Sequence, residues 1–174
     1  MPKARLAALT ALVLTAALLR IVPHPPNFAP VMAMGLFAGA LFPNRWLAVA
    51  APLVALLISD LVLGFYAEMW AIYATLALVT TLGFLLREGR TPRRIAGVTL
   101  AGSVIFFALT NFATWALGTM YPHTVEGLAA CYAAAIPFFA NSLAGDALFA
   151  ALLFGGFTLL ERGFPVLRSQ PAAA

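Results

Sequence analysis

The chain has few charged residues and a single cysteine. Of its 174 residues, 9% are charged and 63% are hydrophobic, whereas roughly 25% of a soluble domain is charged. A soluble fold of this size could not bury so much apolar surface, so we expect its solvent to be lipid. The lone Cys131 excludes an internal disulfide and a cysteine-based zinc cluster.

The chain also lacks a Walker motif, a glycine-rich phosphate loop and a dinucleotide fingerprint. His-x-x-His and His-Glu-x-x-His spacings are missing too, so no metal or other cofactor is predicted. We therefore expect a protein that is not an enzyme and that draws any energy for transport from outside. Cys131, among alanines, is interpreted as a packing residue, with contact to a metal carried by a ligand as the alternative.

Long Ala/Leu-rich runs without the alternation of barrel strands predict an all-α membrane protein with one domain, residues 1–174. A spanning helix needs about 20 apolar residues. The six predicted spans form a six-helix bundle, with approximate bounds 5–22, 29–43, 46–64, 70–86, 95–120 and 138–161. The second span is short, and we expect it to pack inside the bundle.

Three local features refine this prediction. Lys3 and Arg5 precede an apolar run, as in a signal peptide, but Arg20 and prolines stand where a cleavage site would be, so we expect a retained first helix. Pro137 predicts a break, and hence a short interfacial or re-entrant helix before the last span. Residues 165–174 are predicted to be a flexible tail.

The positive charges predict the orientation of the chain. With six spans and a cytoplasmic N-terminus, both termini are cytoplasmic and Arg20 is the one basic residue on the outer side. The other nine of the ten basic residues then lie inside: Lys3, Arg5, Arg45, Arg87, Arg90, Arg93, Arg94, Arg162 and Arg168. This pattern predicts a multi-pass protein of the bacterial inner membrane.

The same topology places most polar side chains of the spans near the outer face, which indicates a polar cavity open to that side. A carboxylate within a span is costly and usually faces a cavity or a partner. The predicted substrate-binding residues are Arg20, His24, Asn27, Asp60, Asn111, Trp115, Asn141 and Asp146.

These assignments have structural alternatives. Asp60 or Asp146 could form an ion pair with Arg20 instead of binding a ligand. Asn111 and Trp115 share one helix face and would suit a flat heteroaromatic ligand. They could equally make an interhelical hydrogen bond and an interfacial anchor. The prolines around His24 are expected to fix the loop that leaves the first helix.

Four strings in the chain carry a family resemblance: "IVPHPPNFAPVMAMGLFAGALF", "LLISDLVLGFY", "TNFATWALGTMYPHTVEGLAACYAAAIPFF" and "NSLAGDALFAALLFG". Together they resemble an uncharacterised bacterial family described as transport proteins, from about Arg20 to Phe157. That family resembles the S components, the substrate-binding membrane subunits of energy-coupling-factor vitamin importers. The second resemblance depends on size, the six predicted spans, an alanine motif in the first helix and the outward polar set.

The resemblance implies uptake of a vitamin or related micronutrient from the extracytoplasmic side, with a separate ATPase module. In S components the alanine motif docks onto a coupling membrane subunit served by two ATPases, and here Ala7 and Ala11 match it. Some cobalamin-binding members use a cysteine in the loop between helices 3 and 4, and the loop "FYAEMW" has none. Two other classes stay open: a structural or assembly protein, and an intramembrane enzyme using His24, Asp60 or His123 as acid–base groups.

Overall fold

The computed structural model describes residues 1–168, which form helices and no strand. In chain order these are α1 (Lys3–Leu19), α2 (Val31–Leu41), α3 (Arg45–Leu63), α4 (Met69–Leu82) with a 3₁₀ extension (Gly83–Leu86), α5 (Pro92–Leu117), α6 (Val125–Ala150), a π-helical turn (Ala151–Gly155), α7 (Gly156–Gly163) and a 3₁₀ turn (Pro165–Leu167). The prediction of an all-helical membrane protein is confirmed at this level.

Four helical segments are long and apolar enough to cross a membrane: Arg45–Leu63, Met69–Leu86, Pro92–Leu117 and Val125–Gly163. Helix α1, with 17 residues, is slightly shorter. Helix α2 has 11 residues, which corresponds to about 16 Å, roughly half of the 30 Å hydrocarbon core. The second predicted span is therefore a half-length helix.

Helix α2 is the centre of the bundle. Ten of its eleven residues are buried, from Met32 to Leu41, and it contacts α1, α3, α4, α5 and α6. The edges of Phe154 and Phe157 pack against Phe37, with ring centroids 5.4 and 5.8 Å apart. A helix that is apolar all round is stable when other helices cover every face, which explains why this short element forms.

Helix α2 meets α4 at a close backbone approach. A Cβ atom on Gly39 would clash with the carbonyl oxygen of Thr80 and lie 3.0 Å from the Cα of Gly83. In the other direction, a Cβ on Gly83 would clash with the carbonyl of Leu36. Small residues permit such contact between helices in lipid, where packing and not the hydrophobic effect drives association.

The prediction of a break at Pro137 is wrong, and so is that of a separate re-entrant helix before the last span. Helix α6 runs through Pro137 and continues through the π turn into α7, giving one segment of 39 residues. Pro137 lies on the exposed side of α6, so its ring displaces no neighbour. Its missing donor and the crowding of the preceding turn by its ring are costs that membrane helices tolerate through local adjustment.

Basic side chains gather at one end of the bundle, which we call the basic end: Arg5, Arg45, Arg87, Arg90, Arg94 and Arg162. Arg87 donates to the carbonyls of Gly39 and Phe42 at 2.9 and 3.0 Å. Its guanidinium and that of Arg45 lie over the ring of Phe84. This grouping agrees with the predicted clustering of positive charge on one side.

Helix α1 is joined to the last helix at the basic end. Arg5, only 4% exposed, donates to the carboxylate of Glu161 and to the carbonyl of Leu167, and its guanidinium lies 5.0 Å from the ring centre of Phe157. The first part of the predicted tail, Pro165–Leu167, is thus a 3₁₀ turn with a buried Leu167. The rest of that prediction falls on residues 169–174, outside the described residues.

Candidate functional site at the end opposite the arginine cluster

A polar network joins α1, α3 and α4 at the end opposite the basic end. Arg20 follows the last residue of α1, and its Nη1 donates to Asp60 Oδ1 at 2.7 Å and to Ser59 Oγ. Tyr73, one turn into α4, donates its hydroxyl to Asp60 Oδ2 at 2.9 Å. The Asp60 side chain is fully buried, and each of its two oxygens accepts one of these hydrogen bonds.

Arg20 is less completely engaged than its partner. A guanidinium carries five N–H donors, and only the two on Nη1 are used here. Within residues 1–168, the three on Nε and Nη2 make no hydrogen bond. The Arg20 side chain is 13% exposed, so these donors lie at the edge of the bundle and not in its core. They are free to hold an acceptor group from outside.

Tyr66 lies beside this network, in the loop between α3 and α4. Burial raises the pKa of its phenol above the ordinary value, and the nearby Asp60 carboxylate raises that pKa further, while Arg20 lowers it. The phenol therefore stays neutral and able to donate a hydrogen bond. Tyr66 is 38% exposed, which leaves part of an aromatic ring accessible next to Arg20.

The segment from Arg20 to Pro30 crosses the bundle above the start of α2. Its first residue is held by α3 through Asp60, and its last part rests on α6. Asn141 Nδ2 donates to the carbonyl of Pro26 at 3.1 Å. The rings of Phe28 and Phe149 have centroids 5.7 Å apart. This segment, which we call the crossing loop, occupies the end of the bundle that the half-length α2 does not reach.

Two predicted site residues, His24 and Asn27, belong to the crossing loop and are exposed. A ring nitrogen of His24, Nδ1, lies 2.9 Å from the carbonyl oxygen of Pro25. Asn27 has a φ of 60°, a left-handed conformation that asparagine tolerates better than most residues, and it lies in the turn closed by Phe28 N–H and the Pro25 carbonyl at 3.0 Å. No group of three or more His, Cys, Asp or Glu side chains able to hold a metal occurs among the described residues.

Asn111 and Trp115 are not part of this network. Gly102 of α5 faces α2, since its ideal Cβ lies 3.0 Å from Met32 Sδ. Successive residues of a helix are rotated by about 100°, so Asn111, nine residues after Gly102, lies on the side of α5 opposite to α2. Trp115, one turn later, lies on the same side as Asn111. Asn111 donates to its own helix at Phe107. Trp115 donates to the Pro122 carbonyl at 3.0 Å and packs against His123, so the Trp115 side chain stabilises the α5–α6 turn.

Asp146 is separate from Arg20 as well. It points towards α5, where Ser103 Oγ donates to its Oδ2 at 2.7 Å, and both residues are buried. Asn141 shares a face of α6 with Gly145, which rests on Phe28. Of the predicted residues, the structure therefore joins Arg20 to Asp60 directly, while Asn141 supports the crossing loop that carries His24 and Asn27.

Sequence reasoning missed Ser59, Tyr73, Tyr66 and Ser103 as parts of these contacts. Ser59 and Tyr73 had a detectable signal, because both lie near Asp60 at the predicted outer ends of their helices. Ser103 had none, since its partner Asp146 is 43 residues away in the chain. Ala7 and Ala11 are exposed on α1.

Comparison with known proteins gives one match. A family model described as "Family of unknown function (DUF6580)" matches residues 1–167. The chain belongs to this family. No curated protein and no solved structure matches it.

Proposed function

We propose that this member of the DUF6580 family is an integral membrane substrate-binding subunit for uptake of a vitamin or related micronutrient. The observation that carries the proposal is the half-satisfied Arg20, with three unclaimed donors at the edge of the bundle beside the crossing loop. A guanidinium favours planar acceptor groups such as carboxylates and phosphates. We therefore expect a ligand with an anionic or carbonyl-rich group.

The two members of the ion pair have different roles in this proposal. Asp60 has no free oxygen, so it acts as a positioning residue that holds the guanidinium in place through Nη1. The Nε and Nη2 edge of Arg20 then contacts the ligand, with the ring of Tyr66 as a neighbouring apolar and hydrogen-bonding surface. The crossing loop would cover the ligand, because it is fastened to α3 at one end and to α6 at the other.

Energy for uptake would come from a separate module. The chain carries no nucleotide-binding motif. The exposed Ala7 and Ala11 of α1 offer a small-residue surface against which another membrane helix could pack. We propose that a coupling membrane subunit with two ATPases docks there.

A structural or assembly role is the second candidate, and one observation favours it. Asp60 and Ser59 are fully buried and completely hydrogen-bonded within the protein, as expected of polar residues that only hold helices together. In that case no ligand would bind and Arg20 would act only as a clasp between α1 and α3.

Ligand binding by purified protein distinguishes the two candidates. We would identify small molecules that co-purify by mass spectrometry and measure thermal shifts with riboflavin, thiamine, biotin and folate. Arg20→Lys keeps the charge and one contact to Asp60 but loses the planar edge, so we expect at least tenfold weaker binding with the fold retained. Arg168→Lys is the matched control, because in the described part of the chain the Arg168 side chain bonds only to the carbonyls of Glu161 and Arg162, and it should bind as the unaltered protein does. Absence of any stabilising small molecule, or full binding by Arg20→Lys, would refute the proposal.

A further inference from the structure

A groove runs along the outside of the bundle between the basic-end half of α5 and the segment formed by α6, the π turn and α7. Its volume is about 1150 Å³. Its walls are apolar and mostly small on the α6 side, where Ala147, Ala151 and Gly155 follow one another at intervals of four residues. A Cβ on Gly155 would meet no atom within 4 Å, so the groove is open at the π turn.

Two arginines line the groove at its basic end. Arg90 precedes α5 and Arg162 lies in the last turn of α7. The nearest carboxylate, Glu161, is hydrogen-bonded by Arg5, and Arg90 approaches it only to 3.9 Å. Arg162 forms no ion pair within residues 1–168. The mouth of the groove thus carries a net positive charge, because the single carboxylate of Glu161 cannot neutralise both guanidinium groups.

A residue that lines the groove farther along α5 carries a buried hydroxyl that is unpaired within residues 1–168. Thr99 lines the groove and is 6% exposed, and its Oγ1 is the buried side-chain polar atom without a hydrogen-bond partner among the described residues. Leaving such a hydroxyl unpaired is costly. Thr99 lies about two turns into α5, beyond the arginines and before Ser103, so an acceptor at this depth would satisfy it.

We propose that this groove is a specific site for one anionic phospholipid. The order of groups along the groove matches such a molecule: Arg90 and Arg162 would hold the phosphate, Thr99 would donate to an ester carbonyl, and an acyl chain would lie along Ala147, Ala151 and Gly155. Basic pockets between membrane helices recognise anionic headgroups in this way. The paired arginines at the mouth favour a lipid over a partner helix, which would present no phosphate at this point.

Lipid retention measured by native mass spectrometry tests the proposal. The protein would be reconstituted in equal amounts of phosphatidylglycerol and phosphatidylcholine, then released from the membrane with the lipids it holds. We expect one phosphatidylglycerol to be retained in preference to phosphatidylcholine. Arg90→Gln with Arg162→Gln should reduce this preference roughly 25-fold, the product of about fivefold for each arginine near an anionic surface. Arg93→Gln, the same charge change outside the groove, should leave it unchanged.

A second pair of variants separates groove occupancy from charge. Gly155→Leu places a leucine in the groove at a position where a Cβ meets no atom within 4 Å, whereas Gly97→Leu adds the same side chain to α5 at a site that is equally open and does not line the groove. We expect retention to be lost in the first and kept in the second. Equal retention of the two lipids by the unaltered protein, or full retention by Gly155→Leu, would overturn the proposal. Loss of a bound membrane protein instead of lipid in Gly155→Leu would assign the groove to a partner helix and would overturn it as well.

Discussion

At the scale of single residues, the fully buried carboxylate of Asp60 has the most direct consequences. Moving a carboxylate and a guanidinium out of water costs several kcal/mol for each ion, and their mutual attraction does little more than offset this cost. Removing one partner is different, because the other charge is then left buried and unpaired. The Arg20–Asp60 pair therefore contributes little net stability but is strongly coupled.

A double-mutant cycle measures this coupling. We expect Asp60→Leu to lower the free energy of unfolding by about 3–5 kcal/mol, since Arg20 loses its counter-ion. Adding Arg20→Met should restore most of that loss. The measurement is reversible unfolding in mixed micelles, with Thr81→Val, an exposed hydroxyl bonded to its own helix, as the control. Simple additivity of the two changes would contradict the coupling.

The hydrogen bond from Tyr73 to Asp60 can be tested separately. Tyr73→Phe removes one donor from a charged acceptor, which should cost about 1.5–3 kcal/mol of unfolding free energy. Tyr121→Phe is a matched control, because Tyr121 makes no side-chain hydrogen bond within the described residues. Equal effects of the two substitutions on unfolding would show that Asp60 does not need this donor.

At the scale of helices, the approach of α2 to α4 depends on two glycines. Gly39→Ala would place a methyl group against the Thr80 carbonyl, and such overpacking costs about 1–3 kcal/mol. Gly156→Ala is the matched control: its Cβ would meet no atom within 4 Å, and alanine favours a helix by about 1 kcal/mol. Thermal unfolding should therefore move in opposite directions for the two variants. A stabilising Gly39→Ala would show that the helices can separate freely.

The sequence predicted some helices better than others. The bounds of α3 and α4 with its 3₁₀ extension agree with predicted spans 46–64 and 70–86 within a residue or two, because long apolar runs ended by polar loops give a strong signal. Pro137 misled the prediction, since membrane helices tolerate an internal proline by local adjustment of the backbone. The central position of α2 was only partly foreseen, from its length.

The site was predictable to the same uneven extent. Arg20 and Asp60 were unusual enough in an apolar chain for their pairing to be considered in advance. Asp146 is also a carboxylate within an apolar segment, and so it was considered as a partner of Arg20, yet its partner is Ser103 on the neighbouring helix. Asn111 and Trp115 were correctly placed on one helix face, but sequence periodicity could not show which way that face turns. Rotation of a helix about its axis depends on contacts between distant segments.

At the scale of the whole molecule, cysteine labelling tests the predicted orientation in the membrane. Thr119→Cys lies in the turn between α5 and α6, and Glu88→Cys lies beside the basic end. In a Cys131→Ala background, a membrane-impermeant maleimide should label Thr119→Cys in intact cells. It should label Glu88→Cys only after permeabilisation, as the positive-inside rule requires. The reverse pattern would invert the predicted topology and place Arg20 on the cytoplasmic side.

The contact between Arg5 and Glu161 has a consequence for synthesis. The two residues are 156 positions apart, so at 5–20 residues per second Arg5 is synthesised roughly 8–30 s before Glu161. During that interval the Arg5 guanidinium has no partner in the chain. The carboxylate of Glu161, which neutralises its charge, and the carbonyl of Leu167, which accepts its hydrogen bond, have not yet been made. Arg5 must therefore stay hydrated until α7 has been made, and only then can its guanidinium become buried in the bundle. Assembly of this protein ends with the step that joins its earliest helix to its latest one.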